Sequence, residues 1–409
     1  AVWTASRRRS IWPAVAGGGF FLTSAQMLHV HSFVWSEGLF YSLLLSGYLL
    51  LAYYLASQRR TLLILAAMLA GLAILTRYAG FALLPPMVLM LMIAPSRPLR
   101  RKIQDAALLM TVAFTPIAAW MIRNLLVNHS AVNRELAINL FGQRHLHRFY
   151  QSVIAFFWPS NLPDIPSASF ALVFFGGLIV IAILYLRKNL QHDTPPSLAF
   201  YLVSLHLSFA VVYLVFLIVS ISFVDAAIPM DFRLLLPFFG AIVISLIAMV
   251  SDLVSGSKLR YRIWAPLALA TVIFLGYQAQ DAARHLQRLR HEGLGYQNTD
   301  WIASRTVDYL QSIPHDNLII YSNGRDVIAH RVGIDAFRLP RKFSATSLRP
   351  NEQYQNDMDE MCAAVQNGAM IVYFQRISRD FNPTAAEIEA RCKLRPALVF
   401  NDGYIYRVD

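Results

Sequence analysis

Apolar residues in this chain come in long continuous runs, not in alternating or heptad patterns. The runs cover about 11–30, 38–57, 61–76, 79–94, 104–123, 166–186, 198–223, 234–251 and 263–280. A bilayer's hydrocarbon core is about 30 Å thick and takes roughly 20 apolar residues as helix. Spanning segments of this kind are helices, because in lipid the backbone must satisfy its own hydrogen bonds. Barrel strands would alternate polar and apolar positions instead. The pattern therefore predicts a mainly α, polytopic transmembrane helix bundle of about nine spans over residues 1–281.

After Asp281 the pattern changes. A charged connector, "DAARHLQRLRHEGLGYQNTD", leads into short segments that read as a small α/β domain over 282–409. "TDWIASRTVDYLQSI" has a capping Thr or Asp and helical periodicity. "NLIIYS" reads as a buried strand ending in a turn or helix start at "NGRD". "QYQNDMDEMCAAVQNG" is a helix closed by Gly368, and "AMIVYF" is the next strand. "NPTAAEIEARCKL" is a helix with Pro383 near its first turn. "PALVFNDGYIYRV" is two strands around Asn401-Asp402-Gly403, a hairpin signal. The segment shows neither metal-ligand spacing nor a phosphate-binding glycine pattern, so a lid or scaffold over the outer face is its plain reading.

Charge supplies the orientation. Basic clusters at Arg7-Arg8-Arg9, Arg59-Arg60, Arg97 with Arg100-Arg101-Lys102, Arg187-Lys188, and Lys258 with Arg260 and Arg262 fall in alternate connections. The positive-inside rule makes these cytoplasmic. The N-terminus of this chain is then inside, and nine spans put the C-terminal domain outside. Residues 1–281 hold 20 Lys and Arg against 9 Asp and Glu, whereas residues 282–409 hold 16 against 15. The basic excess thus belongs to the membrane half and reads as topology signal and contact with anionic membrane lipids. No basic stripe with interleaved aromatics is present, which argues against a nucleic-acid partner. The two cysteines, Cys362 and Cys392, both lie in the tail. Outside the cytoplasm a disulfide between them is allowed, but two cysteines do not by themselves establish a bridge.

Charged residues at membrane level are candidates for function. Glu37 stands at the mouth of the run that follows "HVHSFVWSEG". It can be stabilised by a helix start with Ser36 as cap. Alternatively, it faces an outer cavity with His29, His31, Arg77 and Arg123 near. There a carboxylate can act as base, orient an acceptor hydroxyl or hold a divalent metal ion. His29 and His31 are two apart, poor spacing for one helical face. Arg77 is the one charge in residues 61–94. A single helix of that length would reach about 51 Å, too long for one crossing. Two shorter helices would place the Arg77 turn in a recess at membrane level, or let the side chain reach the headgroups. Arg123-Asn124 and Arg134 flank the exit of the fifth run. Asp231 and Arg233 open the eighth, where Asp231 can cap the helix. "QRHLHRFYQSVIAFFWP" reads as amphipathic and suited to the membrane surface.

"WSEGLFYSLLLSGYLLLA", "GLAILTRYAGFALLPP", "WMIRN" and "FRLLLPFFG" occur in that order. Together they resemble bacterial C-class integral-membrane glycosyltransferases, related to protein O-mannosyltransferases and the lipid A aminoarabinose transferase. The tail resembles the outer domain of one branch of them. The resemblance implies an enzyme of the plasma (inner) membrane. It would move a hexosyl or pentosyl group from a polyprenyl-phosphate sugar donor to a lipid, glycan or protein acceptor on the outer side, by inverting displacement. It implies Glu37 as an accessory acid, and Arg77, Tyr78, Arg123, Asn124, Arg134, Asp231 and Arg233 as substrate-binding residues. The family's principal base lies in a first outer loop. This chain opens at Ala1 in a loop-like "TASRRRS" and its first run matches a later family helix, so the base is expected upstream. Two other functions are compatible with the residues: a lipid or solute transporter or flippase, for which His206 lies deep in a span, and a non-catalytic membrane assembly protein.

Overall fold

The computed structural model describes residues 12–33, 35–95, 97–129, 137–160, 162–190, 196–255, 260–314 and 318–408. Helices dominate. In chain order they begin with α1 (Trp12–Thr23), α2 (Ala25–Ser32), α3 (Ser36–Ser57) and α4 (Arg60–Thr76). A 3-10 turn, Tyr78–Leu83, leads into α5 (Leu84–Ile93). Then follow α6 (Leu99–Asn128), α7 (Gln143–Phe157), α8 (Ser167–Leu190), α9 (Leu198–Phe223), α10 (Phe232–Ser255) and α11 (Arg260–Glu292). Among the described residues five helices are long and apolar enough to cross a membrane: Ser36–Ser57, Leu99–Val127, Ser167–Asn189, Leu198–Phe223 and Phe232–Val254. Pro13–Thr23, Arg60–Thr76 and Tyr78–Ile93 are shorter apolar helices. The run expected at 11–30 is interrupted at Ser24, whose hydroxyl accepts the Met27 N–H and so starts a second helix. Chain contacts define two compact units, one ending at His285 and the other formed from Leu286 onward with two short loop segments.

Packing of the first unit follows the helical period. On α3 the buried side chains are Glu37, Phe40, Tyr41, Leu44, Tyr48, Leu51, Ala52 and Leu55, with Tyr54 beside them. This is one stripe at i, i+3, i+4, i+7 spacing. Glu37 thus begins the stripe that faces the bundle interior. At the far end of α3, Tyr54 Oη donates to Asp105 Oδ2 at 2.5 Å. Arg97 donates to the same oxygen at 3.2 Å, and both charged side chains are almost fully buried. Seventeen helical steps from Glu37 to Tyr54 separate these two polar clusters by about 25 Å.

The second unit is a small α/β structure. After a helical turn α12 (Thr299–Ile302) come α13 (Arg305–Ser312), β1 (Ile320–Ser322), α14 (Arg325–Arg331) and β2 (Phe337–Arg338). Then follow α15 (Tyr354–Gln366), β3 (Met370–Phe374), α16 (Ala385–Cys392), β4 (Leu398–Val399) and β5 (Gly403–Tyr406). The sheet order is β2-β1-β3-β5-β4. β2, β1 and β3 are parallel, and β5 and β4 are antiparallel to their neighbours. Met370, Val372 and Phe374 pack on one face with Val307 and Ile328, and Ile371 packs on the other with Met358 and Ile388. Helices therefore cover both faces.

"TDWIASRTVDYLQSI" forms two helices instead of one. Ser304 caps the second by accepting the Val307 N–H, and its hydroxyl donates to the Asp402 carboxylate, which holds the break in place. β2 has two residues, both exposed, too short for alternation to mark it. Pro383 precedes the Thr384 cap of α16, where Thr384 and Glu387 form a reciprocal capping box.

A disulfide joins Cys362 on α15 to Cys392 on α16, 30 residues apart. Closing a loop of that length lowers the entropy of the unfolded chain and is worth about 3.5 kcal/mol. Substituting both cysteines by serine is expected to lower the unfolding midpoint of this unit. Reducing agent should have the same effect on the natural chain and none on the variant. Equal melting with and without reductant would contradict the expectation.

Candidate functional site

Three side chains from three elements meet at Glu37. α3 begins at Ser36, with Trp35 in extended conformation as its N-cap and no side-chain cap. Ser36 is therefore the first helical residue, not the cap expected from sequence, and its hydroxyl lies 3.4 Å from an Arg77 guanidinium nitrogen. Glu37 sits in the first helical turn, where the backbone dipole favours an acid. Its Oε1 forms ion pairs with Arg77 and with Arg233, the latter at 2.6 Å.

Each arginine is placed by its local backbone. Arg77 ends α4: its N–H donates to Ala73 O, and its own carbonyl accepts the Gly80 N–H at 2.8 Å. A Cβ at Gly80 would lie 2.6 Å from Ile74 N, so glycine lets the turn fold back on the helix end and point Arg77 at Glu37. Arg233 is the second residue of α10. Asp231 caps that helix, its Oδ1 accepting the Leu234 N–H at 3.0 Å. Two residues from Asp231, Arg233 points elsewhere, and its guanidinium carbon lies 4.6 Å over the Trp35 ring.

Burial explains how the site tolerates charge. The Glu37 side chain is 2% exposed, Arg77 18% and Arg233 37%. The arginines lie between the acid and the outside and shield it. With Asp231 two residues from Arg233, the two acids and two arginines balance, and what the site offers an anion is its guanidinium donors.

Aromatic rings extend the site. His29 lies against Phe33, Trp35 and Phe232, with centroids 4.9, 5.9 and 5.6 Å away. His29 Nδ1 is 3.1 Å from Nε2 of His285 on α11. Phe232 also lines an open cleft of mixed polarity, about 410 Å³, with Arg148, Gln151, Ser152, Ala155, Pro229 and Asp231. Ser152, on the buried edge of the amphipathic α7, donates to Met230 O at 3.0 Å. A second cavity, of about 580 Å³, is apolar and lies among Phe20, Phe157, Phe174, Ile247, Phe274 and Leu275.

The structure thus brings Glu37, Arg77, Arg233 and Asp231 to one end of the bundle. Tyr78 is next to Arg77 but turns to Trp120 of α6, centroids 6.1 Å apart. Arg123 donates to its neighbour Asn124 at 3.3 Å in an exposed position, and neither bonds to Glu37 among the described residues. Arg134 lies outside the described residues.

No set of three metal-ligating side chains converges among the described residues. At Glu37 both guanidiniums meet the same oxygen, Oε1. His31 Nδ1 is 2.8 Å from Met27 O, and His29 faces His285. Sequence reasoning missed His285, which lies 256 positions from its partner in a segment that reads as a charged connector. His206 is fully buried, its Nδ1 donating to Leu202 O at 2.7 Å, and packs edge-on against Tyr48.

Comparison of the sequence with protein-family models and with curated proteins found no match. The reading of function rests on the geometry above and on the motif resemblance.

Proposed function

We propose that this chain belongs to an integral membrane glycosyltransferase that moves a sugar from a polyprenyl-phosphate donor to a lipid, glycan or protein acceptor. In this reading the bundle crosses the bacterial plasma membrane nine times, with α7 along its surface. The Glu37 end is outside, and residues 282–409 are extracytoplasmic.

One observation carries the proposal: a buried carboxylate shared by two arginines at one mouth of a bundle of membrane-length helices. Inverting transfer expels a phosphate, and preorganised guanidiniums in a low-dielectric site stabilise the charge that develops on it. Arg77 and Arg233 are assigned that task. Glu37 is a positioning residue: it holds both arginines and orients the acceptor, and the principal base is not assigned to a residue of this chain. The apolar cavity suits an isoprenoid tail. The basic loop residues near Asp105 fit a cytoplasmic opposite end, and the disulfide fits an oxidising compartment.

Arg233→Ala in the intact protein is expected to cut transfer from a radiolabelled polyprenyl-phosphate sugar by roughly 10²-fold or more. The protein should still be extracted as a folded species. Undiminished transfer by folded Arg77→Ala and Arg233→Ala variants would remove the site assignment. Uptake of an unmodified ligand into proteoliposomes would favour transport instead.

A further inference from the structure

Four arginines gather at one end of the second unit's sheet, and the proposed transferase site does not use them. β1 is the middle of three parallel strands. The chain leaves β1 to form β2 on one side, then crosses to form β3 on the other. That reversal is a topological switch point, and open α/β sheets leave a ligand crevice there, outside the carboxyl ends of the strands. Arg325 follows the end of β1, Arg338 ends β2, Arg341 lies just beyond it, and Arg379 follows β3.

The local structure holds these positions together. Ser322 at the end of β1 pairs in register with Arg338. Asn323 is buried and ties the exits of β1 and β3. Its Nδ2 donates to Phe374 O at 2.8 Å and Ile377 O at 2.9 Å, and its Oδ1 accepts the Phe374 N–H at 2.8 Å. Arg341 and Arg379 both lie over the Phe381 ring, 5.0 and 5.9 Å from its centroid. The Phe381 carbonyl is fixed by the Lys342 N–H at 2.8 Å.

The cluster is short of negative charge. Neighbouring cations are paired elsewhere: Arg376 with Asp300 at 3.2 Å and Lys342 with Glu387 at 2.7 Å. Within the cluster Arg325 meets Asp326 at 3.5 Å, both half-exposed. Burial, then the positive charges of Arg338, Arg379 and Arg325, hold the Arg341 guanidinium below its usual range. Counting Asp326 and Asp380, which adjoins Arg379, the four arginines keep a net charge of +2. A single carboxylate would offset one of those charges. A phosphate offers two charges and oxygens in the spacing of guanidinium forks.

We infer that this crevice is a binding site for a phosphate group, with Arg341 and Arg379 as its forks and Arg325 and Arg338 completing the field. The group is carried by a soluble phosphate ester or by an anionic lipid headgroup.

The test uses the full chain in an uncharged detergent. One arm measures equilibrium binding of radiolabelled pyrophosphate. The other counts phosphatidylglycerol retained from doped micelles by native mass spectrometry, with zwitterionic phosphatidylcholine as control. Arg341→Gln with Arg379→Gln is expected to weaken the bound probe by at least about tenfold, the loss of charge-assisted hydrogen bonds. Arg376→Gln, which removes a neighbouring arginine already paired with Asp300, should leave that binding in place. Loss of pyrophosphate identifies a soluble ester; selective loss of phosphatidylglycerol identifies a headgroup. Arg325→Gln with Arg338→Gln, both exposed, gives the same reading if the first pair fails to fold. The inference is overturned if the natural chain binds neither probe, retains both lipids equally without binding pyrophosphate, or binds unchanged in the folded variants.

Discussion

Glu37→Gln is expected to cost the bundle about 3 kcal/mol, the low end of the range for removing one partner of a buried ion pair. The low end applies because Arg233 is 37% exposed and water screens part of the repulsion that remains. Glutamine keeps the shape and removes the charge, so Arg77 and Arg233 then face each other with no negative charge between them. Glu37→Gln with Arg77→Gln should cost less than the two single changes added together, since the second change removes the repulsion left by the first. The unfolding midpoint in detergent is the readout. Additive losses would mean that Glu37 acts through packing alone. In a transfer assay Glu37→Gln is also expected to fall steeply, because its arginines are no longer held in place.

At the other end of α3, Asp105→Ala is expected to cost about 3–5 kcal/mol. Asp105 is 1% exposed, and its Oδ2 accepts both Tyr54 Oη and Arg97. Removing it leaves Arg97 buried without a counter-charge. Arg97 has a weak alternative, a contact of 3.5 Å to Tyr54 O, and the Tyr54 ring 4.6 Å from its guanidinium carbon. Tyr54→Phe removes one hydrogen bond to a charged group and should cost less, about 1.5–3 kcal/mol. Transfer per folded molecule should change little in either variant, because this cluster is about 25 Å from Glu37 along α3. If Tyr54→Phe proved as damaging as Asp105→Ala, or if either abolished transfer in folded protein, the cluster would be more than a staple.

The structure also explains which parts of the molecule could be read early. Uncharged runs identify helices because a helix buried on all sides, or facing lipid, has no need of polar positions. Gly368, with φ of +96°, marks a local event set by backbone freedom within a few residues. Asp231 as a cap belongs to the same class, since its partner is the Leu234 N–H three residues away. The break at Ser304 was hidden because the group that stabilises it, Asp402, arrives from 98 residues further on.

Among the site residues the same distinction holds. An acid at the mouth of an apolar run and an arginine inside a 34-residue run are visible in sequence because each is costly where it stands. Cost does not name the partner. Glu37 joined Arg77 and Arg233 instead of Arg123 because α3, α4 and α10 converge at their ends, whereas the end of α6 holds Arg123 against Asn124 in the open. His285 and the arginines beyond β1, β2 and β3 sit in ordinary charged segments and carried no signal of their own. Strand order, a property of the whole sheet, gathered the latter. Period and length follow from local backbone geometry, so membrane-length helices followed by a smaller α/β segment were legible in the residues alone. Which charges share a site was not, because pairing energy depends on distance and burial, and neither exists until the helices and strands pack.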